Sequence, residues 1–149
     1  MNSDFKELLK IFAERKVKYL IIGGYAVAKH AEPRYTKDLD VWINNSRENA
    51  ERVYESLKEF TAPLSGITVE DFTIPTLVFQ IGIEPSRIDI LMGLKELDFE
   101  ECWKRRATSV IGDLEIYFIS IDDLIFNKIL AGRPQDLRDA EILKLKKGE

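Results

Sequence analysis

Apolar and polar positions alternate along the chain in two periods, dividing it into short helices and short strands. Phe5, Leu8, Leu9, Phe12 and Ala13 recur at helical spacing and predict an amphipathic helix over residues 4–15. Tyr19, Leu20, Ile21 and Ile22 form a short apolar strand that stops at Gly23-Gly24. Residues 25–31 favour a helix, which Glu32-Pro33 ends. Residues 38–43 alternate as a strand does, and Ser46 is placed to cap a following helix through Ala50, Val53, Tyr54 and Leu57. Residues 61–75, with Pro63, Gly66 and Pro75, read as an irregular loop. Two strands over 76–83 and 87–92 predict a hairpin turning at Glu84-Pro85-Ser86. A helix over 99–106 precedes a second strand pair, 108–111 and 114–118, joined at Gly112-Asp113. Ser120-Ile121-Asp122-Asp123 reads as a capping box opening a helix to about residue 130. Gly132-Arg133-Pro134 breaks it, and residues 135–146 form the last helix. Strands interspersed with helices predict one α/β (α+β) domain over 1–149: a mixed sheet of about five strands with helices packed on it.

Composition narrows the function classes. A net charge of −4 and a pI near 5.2 give no global basic footprint, so general DNA binding is not expected. The single cysteine, Cys102, has no internal disulfide partner and reads as a packed thiol in a reducing, cytoplasmic setting. No basic-then-apolar leader opens the sequence and no apolar run is long enough to cross a bilayer, so no membrane role is expected. One histidine, His30, and one cysteine do not make a zinc site; a surface helix position is the expected state of His30.

The chemistry concentrates in three aspartates. Residues two apart on a strand share a face, so Asp38 and Asp40 project together, while Leu39, Val41 and Ile43 project into the core. Two like charges held about 7 Å apart by that repeat gain nothing structurally, but a divalent cation turns their repulsion into attraction. Asp89 occupies a matching strand, Arg87-Ile88-Asp89-Ile90-Leu91. If the two strands are neighbours, three carboxylates converge, as a two-metal phosphoryl-transfer centre requires. Magnesium suits such hard oxygen ligands, keeping waters and substrate phosphate for its other positions; Mn²⁺ is the alternative. Trp42 shares the face of the aspartates and either walls the site or packs against a neighbouring helix.

Gly23-Gly24, at a strand-to-helix turn, can bring backbone N–H groups close to a phosphate. Thirteen residues separate Gly24 from Asp38, room for one short helix and a return to the same end of the sheet. In that return Arg34, Thr36 and Lys37 offer cations and a hydroxyl suited to a triphosphate, or form a surface loop.

Gly-Gly, a short helix, Pro33-Arg34-Tyr35-Thr36-Lys37-Asp38-Leu39-Asp40 and a later strand aspartate at Asp89 resemble the nucleotidyltransferase superfamily related to DNA polymerase β. The small bacterial members, lincosamide-type and AbiEii-like, are the most similar. Asp123-Leu124, Lys128, Ala131, Arg133, Asp136 and Asp139 resemble the pattern that closes such domains, in C-terminal helices over about 120–147. The resemblance implies that Asp38, Asp40 and Asp89 are catalytic Mg²⁺ ligands, and that Gly23 and Gly24 cradle phosphate. It also implies that Lys128 reaches the nucleotide or pairs with Asp136 or Asp139. Its substrates would be an NTP such as ATP and a hydroxyl on a small molecule, a protein or an RNA end. An alternative is an antitoxin-like, non-catalytic module acting through a protein partner, for which a homodimer or a small helical protein are the candidates. One departure is Gly24, where many relatives carry serine.

Overall fold

The computed structural model describes residues 1–83 and 86–148. The first helix, α1 (Ser3–Glu14), starts where the Asn2 side chain accepts a hydrogen bond from the Phe5 N–H, and it buries Phe5, Leu8, Leu9 and Phe12. Strand β1 (Tyr19–Ile22) is buried at all four positions. Helix α2 (Gly23–His30) begins on the first glycine itself, earlier than the sequence predicts. Strand β2 (Leu39–Ile43) is followed by α3 (Arg47–Glu59), capped by Ser46 as expected.

The stretch read as irregular contains a 3-10 turn, Val69–Thr73, closed by a Thr68/Asp71 capping box and anchored by fully buried Phe72. One turn carries too little periodicity to stand out in the sequence. Strands β3 (Val78–Ile81) and β4 (Ile88–Leu91) pair antiparallel; of the predicted turn between them, Glu84 and Pro85 lie outside the described residues. Helix α4 (Phe99–Lys104) leads to the antiparallel pair β5 (Ala107–Ile111) and β6 (Leu114–Phe118), and α5 (Ile121–Ala131) and α6 (Pro134–Lys147) end the chain. At the start of α5 only half of the capping box forms. Ser120 accepts from the Asp123 N–H, but the Asp123 carboxylate is held by Arg105 at 2.9 and 3.0 Å.

The sheet has six strands, in the order β3-β4-β2-β1-β6-β5, rather than about five. Both outer strands bury little: of β3 only Ile81 is buried, and β5 alternates between exposed and half-buried positions, so each contributes weakly to the apolar pattern. In the centre β2 runs antiparallel to β1 and parallel to β4. Trp42 is 1% exposed and meets the Phe99 ring edge-on at 5.1 Å, so it packs rather than walls a site. Cys102 is buried, which pushes its thiol up to about 12, so the thiol stays protonated. No helix among the described residues is long and apolar enough to cross a membrane.

Candidate active site

Strand register decides which side chains meet. Ile22 of β1 faces Asp40 of β2, Asp40 faces Asp89 of β4, and Asp89 faces Gln80 of β3. One row across four strands thus carries both strand aspartates and ends at the residue before Gly23. The sequence expectation that the two aspartate strands are neighbours is met.

The Asp40 and Asp89 carboxyls stand opposite each other on the paired strands β2 and β4. Burial, then the negative charges of Asp89 and Asp38, raise the Asp40 carboxyl from its ordinary 3.8 to about 7; Lys128 opposes the shift. Asp40 is therefore neutral in the fold and ionised in the unfolded chain between about pH 4 and pH 7. The fold binds more protons in that window, so stability falls as pH rises through it and levels off above 7. The expected slope is at most about 1.4 kcal/mol per pH unit. Melting temperatures of wild type and Asp40→Asn between pH 4.5 and 8 should diverge with this sign, and parallel curves would exclude it.

Asp38 is directed elsewhere. Its Oδ1 accepts from the Arg87 backbone N–H at 3.1 Å, and its Oδ2 lies 3.6 Å from the Arg87 guanidinium. The same guanidinium forks onto Asp89, Nε to Oδ1 at 2.9 Å and Nη2 to Oδ2 at 3.1 Å. Sequence reading missed Arg87. The signal was present, because an arginine two residues before a strand aspartate must share its face.

The glycine turn closes on the same carboxylates. Gly23 has φ +66° and packs against the Asp40 side chain so tightly that a Cβ would overlap Oδ2. A Cβ on Gly24 would come within 2.8 Å of the Thr36 methyl, so glycine at 24 and threonine at 36 fit as a pair. The start of α2 has no side-chain cap, which leaves its first N–H groups directed at this end of the sheet.

Helices α5 and α6 supply the facing wall. Lys128 is 8% exposed and lies 3.4 Å from Asp136 and 3.2 Å from Asp139. Arg133 pairs with Asp136 at 2.7 Å, and Arg34 with Asp139 at 2.9 Å. Burial raises both carboxyls, but these cations overcome it and hold them below the usual carboxylate range. Lys128 thus has its ion pairs and still borders the cleft.

A cleft of about 500 Å³ joins these parts: Gly23, Gly24, the three aspartates, Arg87, Lys128 and Arg133, with Val78, Gln80, Leu91 and Leu94 on the far side. Its volume suits a small-molecule substrate. Thr36 and Lys37 do not line it; with Arg34 they border a neighbouring hollow beside Tyr25 and Tyr35. His30 ties α2 to the sheet through a 2.7 Å hydrogen bond between Nε2 and the Ile119 carbonyl, and burial lowers its pKa.

Among the described residues, no group of three or more His, Cys, Asp or Glu stands arranged to hold a metal ion. The donor chemistry nevertheless fits a hard divalent cation. Asp40 and Asp89 converge in register, and Mg²⁺ needs only one or two protein carboxylates beside water and phosphate.

Residues 2–147 match the family model described as "Nucleotidyltransferase of unknown function (DUF6036)". No curated protein sequence matches the chain. Among solved structures, the chain is similar to the lincosamide antibiotic adenylyltransferase LnuA in its lincomycin-bound form, with a TM-score of 0.62 and 18% identity. That alignment covers 97% of this chain and 96% of LnuA. It is also similar to the antibiotic-resistance factor ANT(2'')-Ia, with a TM-score of 0.62, 14% identity and coverage of 98% and 88%. ANT(2'')-Ia is known as well in complex with adenylyl-2''-tobramycin. At these identities the likeness establishes a shared fold.

Proposed function

Because the chain belongs to the DUF6036 nucleotidyltransferase family, we propose that it is a single catalytic domain that transfers a nucleoside monophosphate from an NTP to a hydroxyl acceptor. The observation that carries this reading is the register of Asp40 and Asp89 directly beside the uncapped start of α2. In the reaction the acceptor hydroxyl gives up its proton to water as its oxygen bonds to the α-phosphorus, the bond from that phosphorus to the bridging oxygen breaks, and pyrophosphate leaves with the electron pair. Asp40 and Asp89, joined by Asp38, would hold Mg²⁺ or Mn²⁺, which supplies charge neutralisation for the triphosphate and acidifies the acceptor hydroxyl.

The protein's own groups divide the remaining work. Backbone N–H groups from Gly23 onward face the phosphates. Lys128 and Arg133 give that wall positive charge, partly offset by Asp136. The opposite wall, Val78, Gln80, Leu91 and Leu94, carries no charge and fits the uncharged part of an acceptor. Two proteins sharing the fold bind or adenylylate antibiotics, which favours a small-molecule acceptor over a protein or an RNA end. ATP is the first nucleotide to test.

Calorimetry with each NTP, with and without Mg²⁺, tests the site before any acceptor is known. Wild type is expected to bind at least one NTP in a Mg²⁺-dependent way, and Asp89→Asn to lose at least about tenfold in that affinity. Binding with no metal dependence, and equal in the variant, would exclude a carboxylate-held metal.

A further inference from the structure

Arg87 stands immediately before β4, and its side chain lies along the strand over Asp89. Both Asp89 oxygens receive its fork, while Asp38 receives its backbone N–H and borders the same guanidinium. The Asp89 and Asp38 side chains are only 13% and 19% exposed, and that of Arg87 is 30% exposed. Three aspartates brought together at one end of a sheet repel one another strongly when partly removed from water. A planar guanidinium neutralises two of them at once, with a geometry that an ammonium cannot copy.

The same oxygens are the ones a divalent cation would need. Each Asp89 oxygen commits one lone pair to the fork, and the guanidinium charge stands against both Asp89 and Asp38, so a divalent cation approaching the same oxygens meets that charge. We propose that Arg87 is the resident counter-cation of the carboxylate cluster and competes with the divalent metal for Asp89 and Asp38. The active constellation forms when Arg87 releases Asp89 toward the open cleft that it lines. Arg87 is thus a positioning residue with a cost in metal affinity: it keeps the acidic cluster folded and makes the metal displace a charge. This inference rests on the metal site proposed above.

The sign of a single measurement separates this role from a purely structural one. If Arg87 only aligned the ligands, its removal would weaken metal binding; as a competitor, its removal strengthens binding. Mn²⁺ affinity is read from the free-ion signal in electron paramagnetic resonance, for the full chain and for Arg87→Met. The variant is expected to bind Mn²⁺ about tenfold more tightly, the effect of deleting one close charge. It should also melt lower than wild type in EDTA and gain more in melting temperature on adding Mn²⁺. Arg87→Lys keeps the charge and loses the fork; its expected tightening of about twofold to threefold tests the competition if Arg87→Met does not fold. Unchanged or weaker Mn²⁺ binding in the folded variants overturns the proposal. Absence of Mn²⁺ binding in wild type and variants alike, with Asp40→Asn indistinguishable from them, would instead remove the metal site on which it rests.

Discussion

Asp40→Asn is expected to lower the rate of pyrophosphate release from the bound NTP at least about a thousandfold, while leaving the protein as stable as wild type or more so above pH 7. The two effects share one cause. Asp40 stands opposite Asp89, feels the charges of Asp89 and Asp38, and is buried enough that its carboxyl ionises only near pH 7. Keeping it charged at higher pH works against the fold, and an asparagine of the same shape removes that cost. The amide also removes an anionic ligand where the proposed reaction has to gather positive charge, and nothing else on β2 can replace it. Leu39 and Val41 are fully buried in the core. Steady-state release measured with the acceptor that wild type uses, beside melting temperatures at pH 8, reads both effects. Retained turnover would move the reaction centre away from this cluster. A large fall in melting temperature would show that Asp40 is a structural carboxylate.

What the sequence disclosed about this site depended on how local each relation is. The shared face of Asp38 and Asp40 follows from a two-residue repeat, and the alternation of residues 87–92 placed Asp89 on a strand, so the carboxylates were legible. Their adjacency depends on β2 and β4 pairing in parallel, which no local signal encodes; it was expected only conditionally. The thirteen residues between Gly24 and Asp38 allowed the glycine turn to share that end of the sheet, and the row from Ile22 to Asp89 supplies the physical link. The charges were harder to assign. Arg34 lies four residues before Asp38 yet pairs with Asp139, 105 positions away, and Lys128 is buried against two aspartates of the next helix. Ion pairs of that kind are chosen by tertiary packing, to which spacing along the chain is blind. Arg87 was the reverse case. Its two-residue offset from Asp89 was readable, but a cation beside a proposed metal ligand did not suggest itself as part of the site. The edge strands and the 3-10 turn bury too few apolar side chains to mark their extents.

Gly23→Ala should damage stability and reaction together, because one backbone position serves both. At φ +66° an L-residue pays roughly 1–2 kcal/mol in backbone strain. The added methyl also has no space: it would overlap Asp40 Oδ2 and approach the rest of that carboxyl, which stands opposite Asp89. Either α2 shifts along its axis, moving the N–H groups that face the phosphates, or Asp40 turns away from Asp89. The combined cost is expected at about 2–4 kcal/mol, seen as a clear drop in melting temperature. A misplacement of this size at reacting groups is expected to slow turnover on the order of a hundredfold in whatever protein remains folded. Gly24→Ala is the control. Its φ is not in the left-handed region, and its new methyl comes closest to the Thr36 methyl, on a half-buried side chain that can rotate away. That variant should lose about 1 kcal/mol or less, and Gly24→Ala/Thr36→Ser should recover it. Equal losses at the two glycines would mean that general helix-start geometry, rather than contact with Asp40, fixes the turn. A Gly23→Ala protein with wild-type melting and turnover would show that the turn does not set the position of Asp40.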